Sequence, residues 1–139
     1  MANVSTLLDR FVELFNNNQF EEAEQDLAAG ASIEEVGTGR RFTPTESTAN
    51  ARAWKGAFPD AKGTITNKII EGNKGAAEIT WRGTNLGLLM GQAPTNKHVS
   101  VRSIVVIDTD GSKITRVSHH IDVAGMMAQL GVGAGSAHV

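Results

Sequence analysis

Two adjacent histidines near the end of the chain, His119 and His120, are the residues best suited to acid–base chemistry. Imidazole titrates near about pH 6.5, so a histidine can take up and return a proton at neutral pH. Both lie in a segment with strand character, Lys113–Ile121, and successive side chains of a strand point to opposite faces. At most one of them therefore enters a given pocket. The alternative is a buried, hydrogen-bonded histidine or a residue at a surface or interface.

Asp122 follows this strand and precedes a helical segment, Val123–Leu130. Aspartate is a favoured N-cap residue, which predicts a structural role. Its carboxylate could also orient His119, as a third group orients a base in catalytic triads. The spacing of three residues is compatible with both roles.

Glu34 and Glu35 lie in a short predicted strand, Ala31–Val36, so that one of them should face inward. A carboxylate in an apolar pocket has a raised pKa and can act as an acid. We therefore count Glu35 with His119 and Asp122 as candidate catalytic residues. The alternative is that both glutamates are solvated.

The composition excludes several other classes of function. The 139 residues carry a net charge of −2 and form no long run of Lys and Arg, so nucleic-acid binding has no electrostatic support. The chain contains no cysteine, and adjacent histidines on a strand diverge, which argues against a metal site. No stretch approaches the ~20 apolar residues of a membrane span, and the first residues lack the pattern of a signal peptide. We expect a cytoplasmic protein.

The apolar spacing and capping residues predict helices early in the chain and a short helix at its end. The predicted helices are Asn3–Asn16, a second from about Phe20 to Gly30, a third from Thr43 to Pro59, and Val123–Leu130. The third begins with a capping box formed by Thr43 and Glu46, with Pro44 at its first turn.

The remaining segments read as strands joined by hairpins. The predicted strands are Ala31–Val36, Thr64–Ile70, Ala76–Leu89, Val99–Ile107 and Lys113–Ile121. Turns are predicted at Gly72-Asn73 and Asp110-Gly111, and bulges or bends at Gly83 and Gly87. This order, with helices first and an antiparallel meander after them, indicates an α+β domain over residues 1–131. The tail 132–139, rich in Gly, Ala and Ser, is predicted to be mobile.

Some strands are apolar on both faces, as Ile104, Val105 and Val106 illustrate. Such a sheet must be covered on both sides. Helices can cover one side, and we expect a second copy of the chain to cover the other. The two tryptophans, Trp54 and Trp81, are expected either in the core or at a pocket, and Met126 at the pocket mouth.

Five short motifs occur in a fixed order along nearly the whole chain. They are Ala57-Phe58-Pro59-Asp60, Gly83-Thr84-Asn85-Leu86-Gly87, Gly91 to Lys97, Asp110-Gly111-Ser112-Lys113-Ile114, and Asp122 followed by Met126 to Gly131. The series resembles the motifs of the SnoaL-like polyketide (ester) cyclases, which belong to the nuclear transport factor 2-like superfamily.

This resemblance implies a cone-shaped domain, usually dimeric, in which a strongly bent antiparallel sheet wraps around the helices. It also implies a pocket for a hydrophobic ligand and no cofactor or metal. In the characterised cyclases an acidic residue on the last strand serves as general acid and base for an aldol ring closure. The resemblance places His119 at that position, and it places Ser103 among the polar pocket groups. Trp54, Trp81, Ser103, His120 and Met126 are thus the expected pocket residues.

Three functions follow as hypotheses. The first is a cofactor-independent enzyme that performs proton-transfer chemistry, such as cyclisation or isomerisation, on an apolar, polyketide-like carbonyl substrate, with His119 as general base. The second is a non-catalytic carrier or sensor of an apolar small molecule. The third is a hydrolase or dehydratase. A fold alone does not decide among them.

Overall fold

A computed structural model of the chain describes residues 3–132 and shows four helices and six strands. In chain order the elements are α1 (Val4–Asn16), α2 (Phe20–Gln25), β1 (Leu27–Glu35), β2 (Arg40–Phe42), α3 (Pro44–Ala57), β3 (Lys62–Glu71), β4 (Lys74–Thr84), β5 (His98–Thr109), β6 (Ile114–Ile121) and α4 (Val123–Leu130). The predicted α+β class is confirmed. Residues 133–139 of the predicted mobile tail lie outside the described residues.

The helix starts follow the capping chemistry that the sequence carries. The Asn3 side chain accepts a hydrogen bond from the backbone N–H of Thr6, at 2.7 Å, and so caps α1. The capping box predicted at Thr43 and Glu46 is present at the start of α3. The carboxylate of Asp122 caps α4. These caps fix where each helix enters the domain, because they satisfy N–H groups that the first turn leaves free.

The six strands form one curved sheet in the order β2-β1-β6-β5-β4-β3. Four of the five strand pairs are antiparallel, but β1 and β6 run parallel, with Glu35 beside His119. The expected antiparallel sheet is therefore a mixed one. After β1 the chain passes through β2, α3 and the three strands β3, β4 and β5. The next strand, β6, then pairs with β1 in the same direction.

Several element boundaries differ from the predicted ones. The second helix ends at Gln25, and β1 starts at Leu27, so Gly30 lies inside a strand. The short strand β2 was absent from the prediction. The strand β4 ends at Thr84 and pairs with β5 without a register shift, so the predicted bulge at Gly83 is wrong; the irregularity lies in β3 near Ile65. Both predicted hairpin turns are present.

Two apolar clusters hold the helices on the inner face of the sheet. In the larger one, Leu7 and Leu8 of α1 are fully buried against Ile79, Val105 and Ile107 of the central strands. The smaller cluster joins the end of α3 to α4 and β5, through Phe58, Val99, Val101, Met126 and Leu130. Each buried side chain of this size contributes about 1.5–3 kcal/mol to folding. Within residues 3–132, every helix is too short or too polar to span a bilayer.

The long connection between β4 and β5 is tied to α3 by one buried amide. The Nδ2 of Asn85 donates to the carbonyl oxygens of Ala57, at 3.2 Å, and Gly87, at 2.9 Å. Its Oδ1 accepts from the backbone N–H and the hydroxyl of Thr95, at 2.9 and 3.1 Å. Asn85 thus satisfies its hydrogen-bonding capacity without water, and three of the sequence motifs meet at this amide.

Candidate active site

A cavity of about 220 Å³ lies between the helices and the inner face of the sheet. Its wall is mostly apolar, and aromatic rings from α1, α3 and β4 make up a large part of it. These rings belong to Phe11, Phe15, Trp54, Phe58 and Trp81. The cavity exists because α1 and α3 pack on opposite ends of the inner face through the two clusters described above. Its chemistry depends on the few polar groups that reach this wall.

His119 of β6 is one of these polar groups. Its ring meets Phe11 edge to face, with the ring centroids 5.2 Å apart, and lies 6.2 Å from the ring of Trp81. Its Nε2 lies 2.9 Å from the hydroxyl oxygen of Ser103, on the neighbouring strand. The indole N–H of Trp81 donates to the same oxygen, at 2.8 Å. The imidazole is thus held by a three-residue chain of hydrogen bonds on the inner face.

The second nitrogen of His119, Nδ1, has no hydrogen-bond partner among the described residues. In this part of the chain, every buried side-chain nitrogen and oxygen atom does have a partner. The Nδ1 atom is therefore accessible, and His119 lines the cavity. It follows that the cavity wall offers one free imidazole nitrogen to a bound molecule.

Burial inside the domain lowers the pKa of His119 from 6.5 to about 4. The negative charge of Glu35 opposes this shift, and His120 adds to it. Removing the imidazolium cation from water costs more free energy than its attraction to Glu35 regains. The imidazole of His119 is therefore neutral at physiological pH.

Glu35 also lines the cavity, but it carries four hydrogen bonds. Its Oε1 accepts from Thr38 and Arg40, both at 2.7 Å, and its Oε2 accepts from Asn50, at 2.8 Å, and Trp54, at 2.9 Å. Burial acts to raise the pKa of Glu35, but the four donors outweigh it and the pKa is lowered. The raised pKa expected for this residue is therefore wrong. Glu35 is a carboxylate whose lone pairs are already engaged.

Two of the candidate residues lie outside the cavity. His120 is exposed on the outer face of the sheet, where its Nε2 lies 2.9 Å from the hydroxyl of Ser118. Asp122 is exposed, and its carboxylate accepts from the backbone N–H of Gly125, at 2.9 Å, as the cap of α4. The predicted pocket position of His120 is wrong because it alternates with His119 along β6. The predicted contact of Asp122 with His119 is absent because the cap turns the carboxylate away.

The structure places Trp54, Trp81 and Met126 on the cavity wall. Ser103 lies directly behind the wall, where it contacts the side chains of Trp81 and His119. Sequence reasoning missed Asn50, which shares a face of α3 with Trp54 because the two are four residues apart. That spacing was the available signal. It also missed Thr38, in the turn before β2, and Arg40, the first residue of β2, because no strand was predicted there; both side chains reach Glu35.

A scan against protein-family models matches residues 5–130 to the SnoaL-like polyketide cyclases. The chain belongs to this family. The six-stranded sheet with its helices is accordingly the SnoaL-like fold. No curated protein matches the chain in sequence.

Solved structures share the fold at low sequence identity. IdmH of Streptomyces antibioticus, described as a candidate polyketide cyclase, superposes with a TM-score of 0.81 at 24% identity, over 92% of this chain and 98% of its own. AclR of Streptomyces galilaeus, described as a candidate hydroxylase, gives 0.81 at 18% identity, over 91% and 80%. A Catenulispora acidiphila protein with a ketosteroid isomerase-like fold, solved with trimethylamine, gives 0.80 at 15% identity, over 96% and 98%. These likenesses concern the fold alone.

The hydrogen bonds of Glu35 predict that its charge stabilises this end of the cavity. In the variant Glu35→Gln, the amide oxygen still accepts from one pair of donors, but the amide nitrogen faces the other pair, and Arg40 loses its counter-ion. We expect a loss of about 3 kcal/mol in the free energy of unfolding, measured by urea denaturation.

The matched control is Glu34→Gln, one residue away. The Glu34 side chain is 35% exposed and lies 3.5 Å from Arg41, whose side chain is 72% exposed. Exposed pairs of this kind contribute less than about 1 kcal/mol. Equal losses in the two variants would contradict the structural role of Glu35.

Proposed function

We propose that this protein is a cofactor-independent enzyme that performs acid–base chemistry, of the cyclisation or isomerisation type, on an apolar carbonyl compound. The observation that carries the proposal is the free Nδ1 of a neutral histidine in a mostly apolar cavity. The apolar walls bind the body of the substrate, and the imidazole of His119 orients its carbonyl group. Membership of the SnoaL-like family supports this class of chemistry.

In this proposal the polar groups of the cavity wall have different roles. His119 is the catalytic residue, because its free nitrogen is within reach of a bound molecule. Glu35 serves as a fixed negative charge that holds Trp54 and Asn50 in place, since its oxygens are occupied by donors. Asp122 has no part in the reaction, because it caps α4 on the outside.

The size of the cavity limits the substrate. A dry cavity of about 150 Å³ holds one benzene molecule, and pockets for drug-sized ligands measure about 300–1,000 Å³. At about 220 Å³, this cavity encloses a compact ring system, and a longer substrate has to extend through the mouth. The reacting carbonyl is then the end that reaches His119.

A carrier of apolar molecules is the alternative, and the wall composition alone agrees with it. A carrier, however, gains nothing from a neutral imidazole with a free nitrogen, since an unpartnered polar atom weakens apolar binding. The two functions differ in one property, which is whether a bound ketone exchanges its α-hydrogens faster than in water.

Exchange of α-hydrogens therefore tests the proposal. The protein is incubated in D₂O with a panel of compact aryl ketones and cyclic 1,3-diketones, and deuterium incorporation is followed by proton NMR. We expect the wild-type protein to accelerate exchange in at least one bound compound, and His119→Gln to lose about 10²-fold or more of that acceleration.

His120→Gln serves as the matched control, because it removes the neighbouring imidazole from the outer face and should exchange like the wild type. Binding of panel compounds without any acceleration would establish the carrier instead. Acceleration that survives in His119→Gln would remove His119 from the reaction.

We also propose that two copies of the chain pair through the outer face of the sheet. Ile69, Ala76 and Val106 lie side by side there through the register of β3, β4 and β5. Ile69 is 65% exposed, and Ile104, on the same face, is 43% exposed. An apolar strip on a sheet face is typical of an interface.

Sedimentation of the purified protein tests this pairing. We expect a dimer, and we expect Ile104→Asp to convert it to a monomer, since a buried unpaired charge is costly. Leu88→Asp is the control, because Leu88 is 69% exposed on the connection between β4 and β5, away from this face. A wild-type monomer would contradict the pairing, as would a dimer that persists in Ile104→Asp.

A further inference from the structure

We infer that Ser103 and Trp81 are positioning residues that fix the proton of neutral His119 on Nδ1. The imidazole then presents an N–H donor to the cavity. In the catalytic context this inference rests on the proposed function, and it assigns to His119 the part of a hydrogen-bond donor to the substrate oxygen. The general-base role expected from the sequence is thereby replaced.

The hydroxyl group of Ser103 is surrounded by few hydrogen-bond partners. This residue is 4% exposed, so its hydroxyl has no access to bulk water. The hydroxyl oxygen has two hydrogen-bond neighbours among the described residues, namely Trp81 Nε1 at 2.8 Å and His119 Nε2 at 2.9 Å. An indole nitrogen only donates, so Trp81 occupies one lone pair of the hydroxyl oxygen. The hydroxyl proton then has one acceptor within reach, which is Nε2 of His119.

The assignment of the imidazole proton follows from this. A neutral histidine carries one N–H, and the hydrogen bond made by one nitrogen decides where the proton lies. Since Nε2 accepts from Ser103, the proton of His119 lies on Nδ1. The reverse arrangement, with Nε2 donating to Ser103, leaves the hydroxyl proton without an acceptor in a buried site, which is unfavourable.

The position of Trp81 is itself fixed by its surroundings. Its ring meets Phe15 edge to face, with centroids 5.2 Å apart, and Gly63 of β3 lies directly opposite on the sheet. A Cβ atom at position 63 would stand 2.6 Å from the indole ring. Glycine is therefore required at this position for the ring to lie flat against the strand and aim its N–H at Ser103.

A proton on Nδ1 determines how His119 interacts with a bound carbonyl compound. An N–H at the cavity wall binds the oxygen of a carbonyl group and binds it more strongly when that oxygen becomes negative, as in an enolate. The α-proton that leaves when the enolate forms passes to a water molecule at the cavity mouth and is replaced from solvent, so His119 itself exchanges no proton with the substrate. Because the ring is neutral, this donor is available throughout the neutral pH range. To act as a base at Nδ1, the ring would have to change tautomer, and the Ser103 hydroxyl would lose its acceptor.

The tautomer is measured directly by NMR. Long-range ¹H–¹⁵N correlation spectra of the ¹⁵N-labelled protein at pH 7 show which ring nitrogen of each histidine carries the proton, and His119→Gln assigns the signals. We expect His119 to show a protonated Nδ1 and an unprotonated Nε2. A protonated Nε2 in the wild-type protein would overturn the inference, and this measurement needs no folded variant.

Two serine variants then identify the group that holds the proton. In Ser103→Ala, Nε2 loses its donor, so we expect the proton of His119 to distribute over both nitrogens. Ser118→Ala is the matched control, because it removes the corresponding hydroxyl beside His120 on the outer face and should leave the His119 signals unchanged. A Ser103→Ala protein that retains the folded amide spectrum and an unchanged His119 tautomer would remove Ser103 from the positioning role.

The outcome is separable from that of the exchange experiment. A protonated Nδ1 without any accelerated exchange would leave the tautomer assignment standing and remove the proposed enzymatic function. Accelerated exchange that depends on His119, together with a protonated Nε2, would support the enzymatic function and overturn the tautomer assignment.

Discussion

The hydrogen bond between Ser103 and His119 links the architecture of this protein to its chemistry. A polar ring in an apolar cavity is unfavourable unless its nitrogens have partners or a function. Pairing of β5 with β6 brings the two residues onto the same face of the sheet, and pairing of β4 with β5 brings in Trp81. One nitrogen of the ring is thereby satisfied by the sheet itself, and the other is left for a ligand.

Two titratable groups line the cavity, and their environments favour the neutral form of His119 and the ionised form of Glu35. His119 is neutral because burial lowers its pKa and the opposite charge of Glu35 does not compensate. Glu35 is ionised because four donors lower its pKa more than burial raises it. The parallel pairing of β1 and β6 places these residues side by side. The oxygens of Glu35 are engaged by donors, so His119 is left to interact with the polar end of a bound ligand.

The residues allowed the fold class, the caps of α3 and α4 and both hairpins to be predicted, and the family resemblance favoured His119 over His120 for the cavity. These features depend on local chemistry, such as the capping box at Thr43, or on the alternation of a strand, which separates His119 from His120. The parallel direction of β1 could not be predicted, since a strand pattern carries no direction. The state of Glu35 was predicted wrongly because its donors, Thr38, Arg40, Asn50 and Trp54, meet only in the folded chain. The same holds for Ser103, whose role depends on two other strands.

The central claim is that His119 is a half-buried, neutral imidazole at the cavity wall, and its titration tests this most directly. The ring Cε1–H signal, followed by NMR from pH 8 to pH 3.5 and assigned with His119→Gln, should give a pKa of about 4. Because this value lies below the 6.5 of an unperturbed histidine, the unfolded chain takes up the proton first. The contribution of His119 to the free energy of unfolding should therefore be complete above about pH 6.5 and decline toward pH 4, by about 3 kcal/mol. A pKa near 6.5 would contradict the account, because it would mean that the ring is open to water and that the cavity wall is not closed around it.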